Sequence, residues 1–438
     1  MSKGAKDLAN IIIARVISAV MTIVIQGCLA WFLLPAGRGS YAVCLIFSIL
    51  LAYIFAFGFD IAFSYFVSSK KISLSEAFTY SLFLVPLISF VADITGYIVL
   101  HLQFEFTQKA TYSSFLLALL YVPVFLFTNI YIQIFTAINQ FKYYSLMLVL
   151  RELDRLLLIL LFILGLSLGV DGALLAIICS DLIIIFSSFL IFKFKYKIQI
   201  VKINFGKLKE IFSYGLRYYF GNISNILNFH MGTIILSFFA TKVEIGLFSV
   251  ATVITTRVEM IPDAFFSVIF PRVAASVDGR KELVAQCARI SGIICCLILL
   301  FLVIFAEPII KILFSSAFLA SKSLIRILAI GIMIRCGCKV FVSYIVGTNH
   351  PGIASMSVVF GLIINIILMY ILLPLYGLNG AAISVCVNYL LSSFLFLYSF
   401  IYLTNTKLLD IIIPQKADFM LLKSVVLDKL NISFSFGK

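Results

Sequence analysis

Charge is scarce in this chain. Asp, Glu, Lys and Arg make up 12% of its 438 residues, while 63% are hydrophobic, a balance far from that of soluble domains. No stretch is polar enough, for long enough, to form a soluble domain. Histidine is nearly missing, with three in the whole chain, and none stands at ligand spacing. The nine cysteines therefore lack the companions a zinc site needs. All lie in or at the ends of apolar segments. Cys336 and Cys338 are two apart on a helix and point to different faces, and adjacent Cys295 and Cys296 have the same difficulty. They read as small buried thiols, so neither a metal site nor a disulfide framework is expected.

What the chain has is long apolar runs. Twelve segments are long enough to cross the roughly 30 Å hydrocarbon core as helices. They lie near 9–34, 41–67, 77–100, 111–137, 146–169, 171–193, 212–240, 246–271, 286–314, 323–347, 353–374 and 378–403. The expected organisation is an N-terminal six-helix bundle over 1–193, a basic linker over 194–211, a second six-helix bundle over 212–403 and a tail over 404–438.

The two halves echo each other. Gly169-Val-Asp-Gly-Ala173 returns as Gly377-Leu-Asn-Gly-Ala381, each opening the sixth segment of its half. Gly39-Ser-Tyr-Ala-Val43 is matched by Gly246-Leu-Phe-Ser-Val250, and Asn139 by Asn349 before each fifth segment. Three matches in register, 207 to 210 residues apart, make this an all-α membrane protein of two pseudo-twofold-related bundles. That architecture usually belongs to a transporter with its site between the halves.

The net charge of +14 would suit a nucleic-acid partner, but its placement excludes one. With the N-terminus inside, 22 Lys and Arg fall in inside stretches, including six lysines from Lys193 to Lys209 and five in the tail. Outside loops hold five: Arg38, Lys109, Lys242, Lys311 and Lys322. This is the positive-inside asymmetry, and it puts both termini in the cytoplasm. The first apolar run carries Arg15 and lacks a small-residue cleavage site, unlike a signal peptide. In the tail, Phe419, Leu422, Val425, Val426 and Leu430 share one helical face. It reads equally as an interfacial helix or as a disordered end.

Charges inside the segments need an explanation, because a charged group at mid-bilayer costs about 2.5 to 3.5 kcal/mol on insertion scales. Arg15, Ser18, Thr22 and Gln26 form one polar stripe on the first helix. Arg217, Gly221, Ser224, Asn225, Asn228 and Gly232 share a stripe on the seventh. On the eighth, Thr252, Thr255, Thr256, Glu259, Asp263 and Ser267 align while Arg257 projects aside. On the tenth, Arg335, Lys339 and Ser343 align. Such stripes either line an aqueous cavity or hydrogen-bond neighbouring helices. Arg15 and Arg217 sit near the start of each half, roughly 10 Å inside the cytoplasmic boundary. Two arginines related by the pseudo-twofold suit a substrate with concentrated negative charge, since Arg grips phosphate bidentately and stays ionised. Asp60, Glu259 and Asp263 either pair with these cations or take up H⁺ or Na⁺. Arg151-Glu152-Leu153-Asp154-Arg155 reads as a largely self-paired cluster.

These residues resemble a family. Leu34-Pro35-Ala36-Gly37-Arg38-Gly39-Ser40-Tyr41 after the first helix is similar to the "LGPxxyGxY" turn of the Wzx-type flippases of lipid-linked oligosaccharides, within the multidrug/oligosaccharidyl-lipid/polysaccharide exporter superfamily. Pro-Ala stands where an acidic residue is usual. Phe57-Gly58-Phe59-Asp60-Ile61-Ala62, Phe270-Pro271-Arg272-Val273-Ala274, Ile312-Leu313-Phe314 and Ser323-Leu324-Ile325-Arg326-Ile327-Leu328 also fit. These motifs are degenerate, and the resemblance covers about 1–403.

The resemblance implies a non-enzyme. Such a protein moves an undecaprenyl-diphosphate-linked sugar repeat across a bacterial inner membrane for O-antigen or another surface polysaccharide, by alternating access. Arg15 and Arg217 would receive the diphosphate; Arg257, Arg335 and Lys339 would offer deeper cationic positions; Asn225 and Asn228 would bond sugar hydroxyls. No cofactor is implied; coupling to membrane potential, H⁺ or Na⁺ stays open. A polymerase and a chain-length regulator are expected partners, with membrane lipids around the substrate's tail. The alternatives are a drug-cation antiporter of the same superfamily, which would favour acids in its cavity, and a polysaccharide polymerase, which would need a large periplasmic loop.

Overall fold

Helix formation follows from the solvent. Within hydrocarbon every backbone N–H and C=O must be satisfied inside the chain, which an apolar helix does by itself. The computed structural model describes residues 3–274, 280–408, 411 and 415, with side chains from Ile13 onward except at 218, 220–222, 224, 225, 268, 271 and 274. Regular structure among these residues is entirely helical. Within them, seven helices are long and apolar enough to cross a membrane. The proposed tail helix lies outside the described residues.

Several boundaries differ from the sequence reading. The first two apolar segments form one unit, α1 (Lys3–Ala56), bent at Leu34, whose φ of 56° is left-handed. Pro35 then starts the returning segment, where its missing N–H costs nothing. Arg38 therefore lies in a helix, not in a loop. The second segment breaks at Phe57 and Gly58, both left-handed, before α2 (Phe59–Ser68). The remaining helices up to the linker are α3 (Leu74–His101), α4 (Tyr112–Ala137), α5 (Phe141–Ile159) and α6 (Gly169–Leu190). Beyond it come α7 (Phe205–Phe239), α8 (Lys242–Thr256) and α9 (Met260–Ala274). A 3₁₀ turn at Arg257–Glu259 divides α8 from α9, splitting the predicted eighth segment. The chain continues through α10 (Lys281–Ile304), α11 (Ala306–Leu313), α12 (Ser321–Cys338) and α13 (Phe341–Gly347) to α14 (Pro351–Thr404). The tenth segment is thus also interrupted, between Cys338 and Phe341.

Two of the three sequence echoes have a structural counterpart. Gly169 and Gly377 take nearly the same left-handed φ, 56° and 55°, and so do Asn139 and Asn349, at 56° and 65°. Glycine and asparagine are the residues that tolerate this conformation.

Contacts gather the chain into two units. The first is Met1–Val250 with Ile310–Ala320; the second is Ala251–Ile309 with Ser321–Lys438. In the first, α1 packs on α5, α4, α6, α3 and α7. Helix α3 shows why this is a membrane body. Phe83, Leu87, Phe90, Ile94 and Ile98 are exposed along one face, while Tyr80, Ser81, Val85, Ser89 and Ala92 are buried. Gly96 belongs to the buried face, against Leu119 and Leu51. Small and polar inside with large apolar outside is the arrangement lipid favours. The linker is anchored on the same helix: Val201 N–H donates to Thr79 Oγ1 at 3.1 Å, and Lys207 Nζ lies 2.6 Å from Glu76 Oε1. In the second unit, α12 packs between α10 and α14, and α13 on α9 and α14.

Candidate functional site

The second unit contains a buried ion network. Glu259, 6% exposed, sits on the 3₁₀ turn, and its Oε2 accepts from Lys339 Nζ at 2.8 Å and Arg335 Nε at 3.3 Å. Lys339 Nζ also lies 2.8 Å from Asp263 Oδ1. The Arg335 guanidinium lies over the Tyr389 ring, 4.7 Å from its centroid, and Nη1 reaches Ser392 Oγ at 3.4 Å. Two residues read as cationic substrate positions and two read as ion-coupling acids thus neutralise one another. The break before α9 turns Glu259 toward α12; Arg335 and Lys339 follow because four residues return to the same helical face. Arg257, on that turn, is half-buried and has a partner of its own.

The first unit has its own network, which sequence reasoning missed. Arg151 grips Asp181 through Nε and Nη2, both at 2.6 Å. Arg155 Nη2 adds a contact at 3.2 Å, and Tyr121 donates its hydroxyl to Asp181 at 3.1 Å. Asp181 is fully buried on α6. The Arg151–Arg155 cluster is therefore paired mainly across helices; within it only Arg155–Glu152, at 3.5 Å, is a local pair among the described residues. The available signal was an i,i+4 arginine pair facing a lone acid mid-span.

Arg15 on α1 and Arg217 on α7 are both exposed, and no carboxylate among the described residues pairs with either. Asn228 is buried and has a partner; the Asn225 side chain lies outside the described residues. Asp60, in the first turn of α2, faces a cavity of about 20 Å³ shared with Tyr53, Phe59 and Asn129. Among the described residues its Oδ1 and the Asn129 Nδ2 are buried without partners. The nine cysteines are unbonded, and no metal-binding cluster occurs among the described residues.

The chain is thus a helical membrane body with kinked and interrupted spans and ion pairs inside each unit. Residues 5–277 match the family described as "Polysaccharide biosynthesis protein", and the chain belongs to that family. It is similar to the probable low-salt glycan biosynthesis flippase Agl15 of Haloferax volcanii, 22% identical over 206 residues. That match covers 46% of this chain and 44% of the relative, so the chain spans under half the length of the curated relative it matches. Among solved structures, the lipid II flippase MurJ in an inward closed conformation aligns over 97% of this chain and 98% of its own, with TM-score 0.71 and 13% identity. The Vibrio cholerae MATE transporter VcmN in its bent form aligns over 92% of this chain and 97% of its own, with TM-score 0.60 and 15% identity. These identities show a shared fold. The proteins it resembles are flippases and transporters, not catalysts.

Proposed function

We propose that this protein is a flippase that carries an undecaprenyl-diphosphate-linked oligosaccharide repeat unit from the cytoplasmic to the periplasmic leaflet of a bacterial inner membrane. Both termini are cytoplasmic, and the halves over 1–193 and 212–403 work by alternating access. The observation that carries the reading is the contrast among the cations. Arg335, Lys339, Arg151 and Arg155 are held by buried carboxylates, whereas Arg15 and Arg217 are exposed without one among the described residues. Cations placed in apolar spans without internal counter-ions are suited to an anionic ligand, and a diphosphate meets the bidentate preference of Arg. Asn228 then serves sugar hydroxyls, and the polyprenyl chain stays among membrane lipids. A polymerase and a chain-length regulator act on the released unit.

The driving force follows from charge. One charge crossing 100 mV is worth about 2.3 kcal/mol, so a diphosphate with two negative charges gains about 4 to 5 kcal/mol on leaving a negative-inside cell. Potential is therefore sufficient without a coupled ion. If H⁺ or Na⁺ is also used, Asp60 suits the role best of the three candidate acids, because Glu259 and Asp263 already hold Lys339. A drug-cation antiporter, the rival of the same fold, would depend on those acids and not on Arg15 or Arg217.

Deletion of the gene, followed by complementation with wild type, Arg15→Ala and Arg217→Ala, tests the reading. Loss of surface polysaccharide, with lipid-linked repeats trapped on the cytoplasmic face and no rescue by well-expressed variants, is expected. Intact polysaccharide in the deletion strain would overturn it.

A further inference from the structure

Arg38 is a buried cation of the first unit without a counter-ion among the described residues. It is 3% exposed, and its Nη2 donates to Gln26 Oε1. The Tyr41 ring lies 5.4 Å from its Cζ. Among the described residues no group accepts from Nε or Nη1, and no carboxylate pairs with it. Two other acids of the first unit are committed to hydroxyl donors. Asp171 accepts from Ser113 and Ser114, and Glu244 from Thr241. A buried, unneutralised guanidinium is costly, and an ionisable group inside a membrane segment marks a functional position by default.

The position of Arg38 says where. Arg15 and Leu34 are 19 residues apart on the first limb of α1, which spans roughly 28 Å at 1.5 Å per residue. Starting roughly 10 Å inside one boundary, the limb runs past the far edge of the roughly 30 Å core, so Arg38, four residues into the returning limb, lies toward the membrane face opposite Arg15. It sits in the first turn of the helix that Pro35 begins, where the backbone dipole also favours an anion. Gln26, which accepts from it, is the last member of the Arg15–Ser18–Thr22–Gln26 stripe. The stripe thus continues across the bend to Arg38. Two other backbone segments meet the same turn: Ser40 Oγ donates to the Lys109 carbonyl at 2.5 Å, and Gly39 packs against the Lys242 carbonyl.

We infer that Arg38 is the core of an oxyanion site for a phosphate or diphosphate group at the face of the membrane opposite Arg15. The inference rests on the flippase reading and deepens it: Arg15 and Arg217 receive the group and Arg38 takes it before release. Next to Arg38 in the chain, Gly39 packs so tightly on Gly246 that a Cβ on Gly39 would lie 3.1 Å from Gly246 N. The same chemistry would accept free phosphate or a lipid headgroup.

The test uses the full chain in neutral phosphatidylcholine nanodiscs, with inorganic pyrophosphate and farnesyl diphosphate as probes in equilibrium dialysis. Arg15→Gln/Arg217→Gln provides the background in which the receiving site is removed. In that background we expect residual binding, which Arg38→Met weakens about ten-fold or more, the worth of a charge-assisted hydrogen bond, while Arg38→Lys weakens it less. Response to farnesyl diphosphate alone assigns a lipid headgroup; equal response to pyrophosphate assigns the free anion as well. Unchanged binding in folded Arg38→Met and Arg38→Lys overturns the site and leaves the flippase reading intact. Absence of binding to wild type by either probe overturns both.

Discussion

Lys339 Nζ stands 2.8 Å from Glu259 Oε2 and the same distance from Asp263 Oδ1, so one ammonium closes the gap between the 3₁₀ turn and the helix that follows it. Together with Arg335 it makes the network neutral. Removing one charge from such a set strands the others, and breaking a buried pair costs about 3 to 5 kcal/mol, with less here because Lys339 keeps some exposure. Glu259→Gln should therefore lower the thermal unfolding midpoint in detergent clearly. Glu259→Gln combined with Lys339→Met should lower it less than the two single losses added together.

Asp181 is the sharper case, being fully buried and held by two arginines. Asp181→Asn should destabilise by about 3 to 5 kcal/mol, and a thermal unfolding series would show it. Tyr121→Phe, which removes one hydrogen bond, should cost about 1 kcal/mol. An Asp181→Asn protein as stable as wild type would show that Arg151 and Arg155 find other partners.

Two glycine pairs mark close helix crossings in the first unit. A Cβ on Gly246 would collide with the Pro35 carbonyl oxygen, and one on Gly58 would lie 2.5 Å from the Gly215 carbonyl oxygen. Alanine at Gly246 or Gly58 should abolish complementation of surface polysaccharide at normal expression. Alanine at Gly352, which has nothing within 4 Å, should complement like wild type.

Gly377 separates space from conformation. A Cβ there would meet nothing within 4 Å, but its φ is 55°. Gly377→Ala should cost about 1 kcal/mol or more through backbone strain alone, and Gly169→Ala a similar amount. The matched pair of unfolding midpoints checks this.

Transport should follow membrane potential. Collapsing a 100 mV gradient removes about 4 to 5 kcal/mol for a doubly charged headgroup, so translocation in a reconstituted vesicle should slow when the potential is dissipated at constant pH. Asp60→Asn should leave that response in place. If instead Asp60→Asn stops translocation while potential has no effect, an ion bound at Asp60 drives the cycle.

The amino-acid order by itself determined that this is a helical membrane protein. Hydropathy follows from the solvent, and a glycine or asparagine required at a left-handed bend is legible wherever it recurs, as at Gly169 and Gly377 or Asn139 and Asn349. The exposed arginines were legible for the same reason: a charge in an apolar run stands out. Only the tertiary structure decided which charges answer each other. Asp181 is 30 residues from Arg151, and Glu259 is 76 from Arg335. Helical periodicity fixes which residues share a face but says nothing about which helix that face meets. The interruption at Arg257–Glu259 was likewise settled by packing, since nothing local forbids a continuous helix through Arg257, whereas the bend at Leu34 follows locally from Pro35. The bend carried Arg38 from an expected outer loop into the protein interior, where its missing counter-charge became visible.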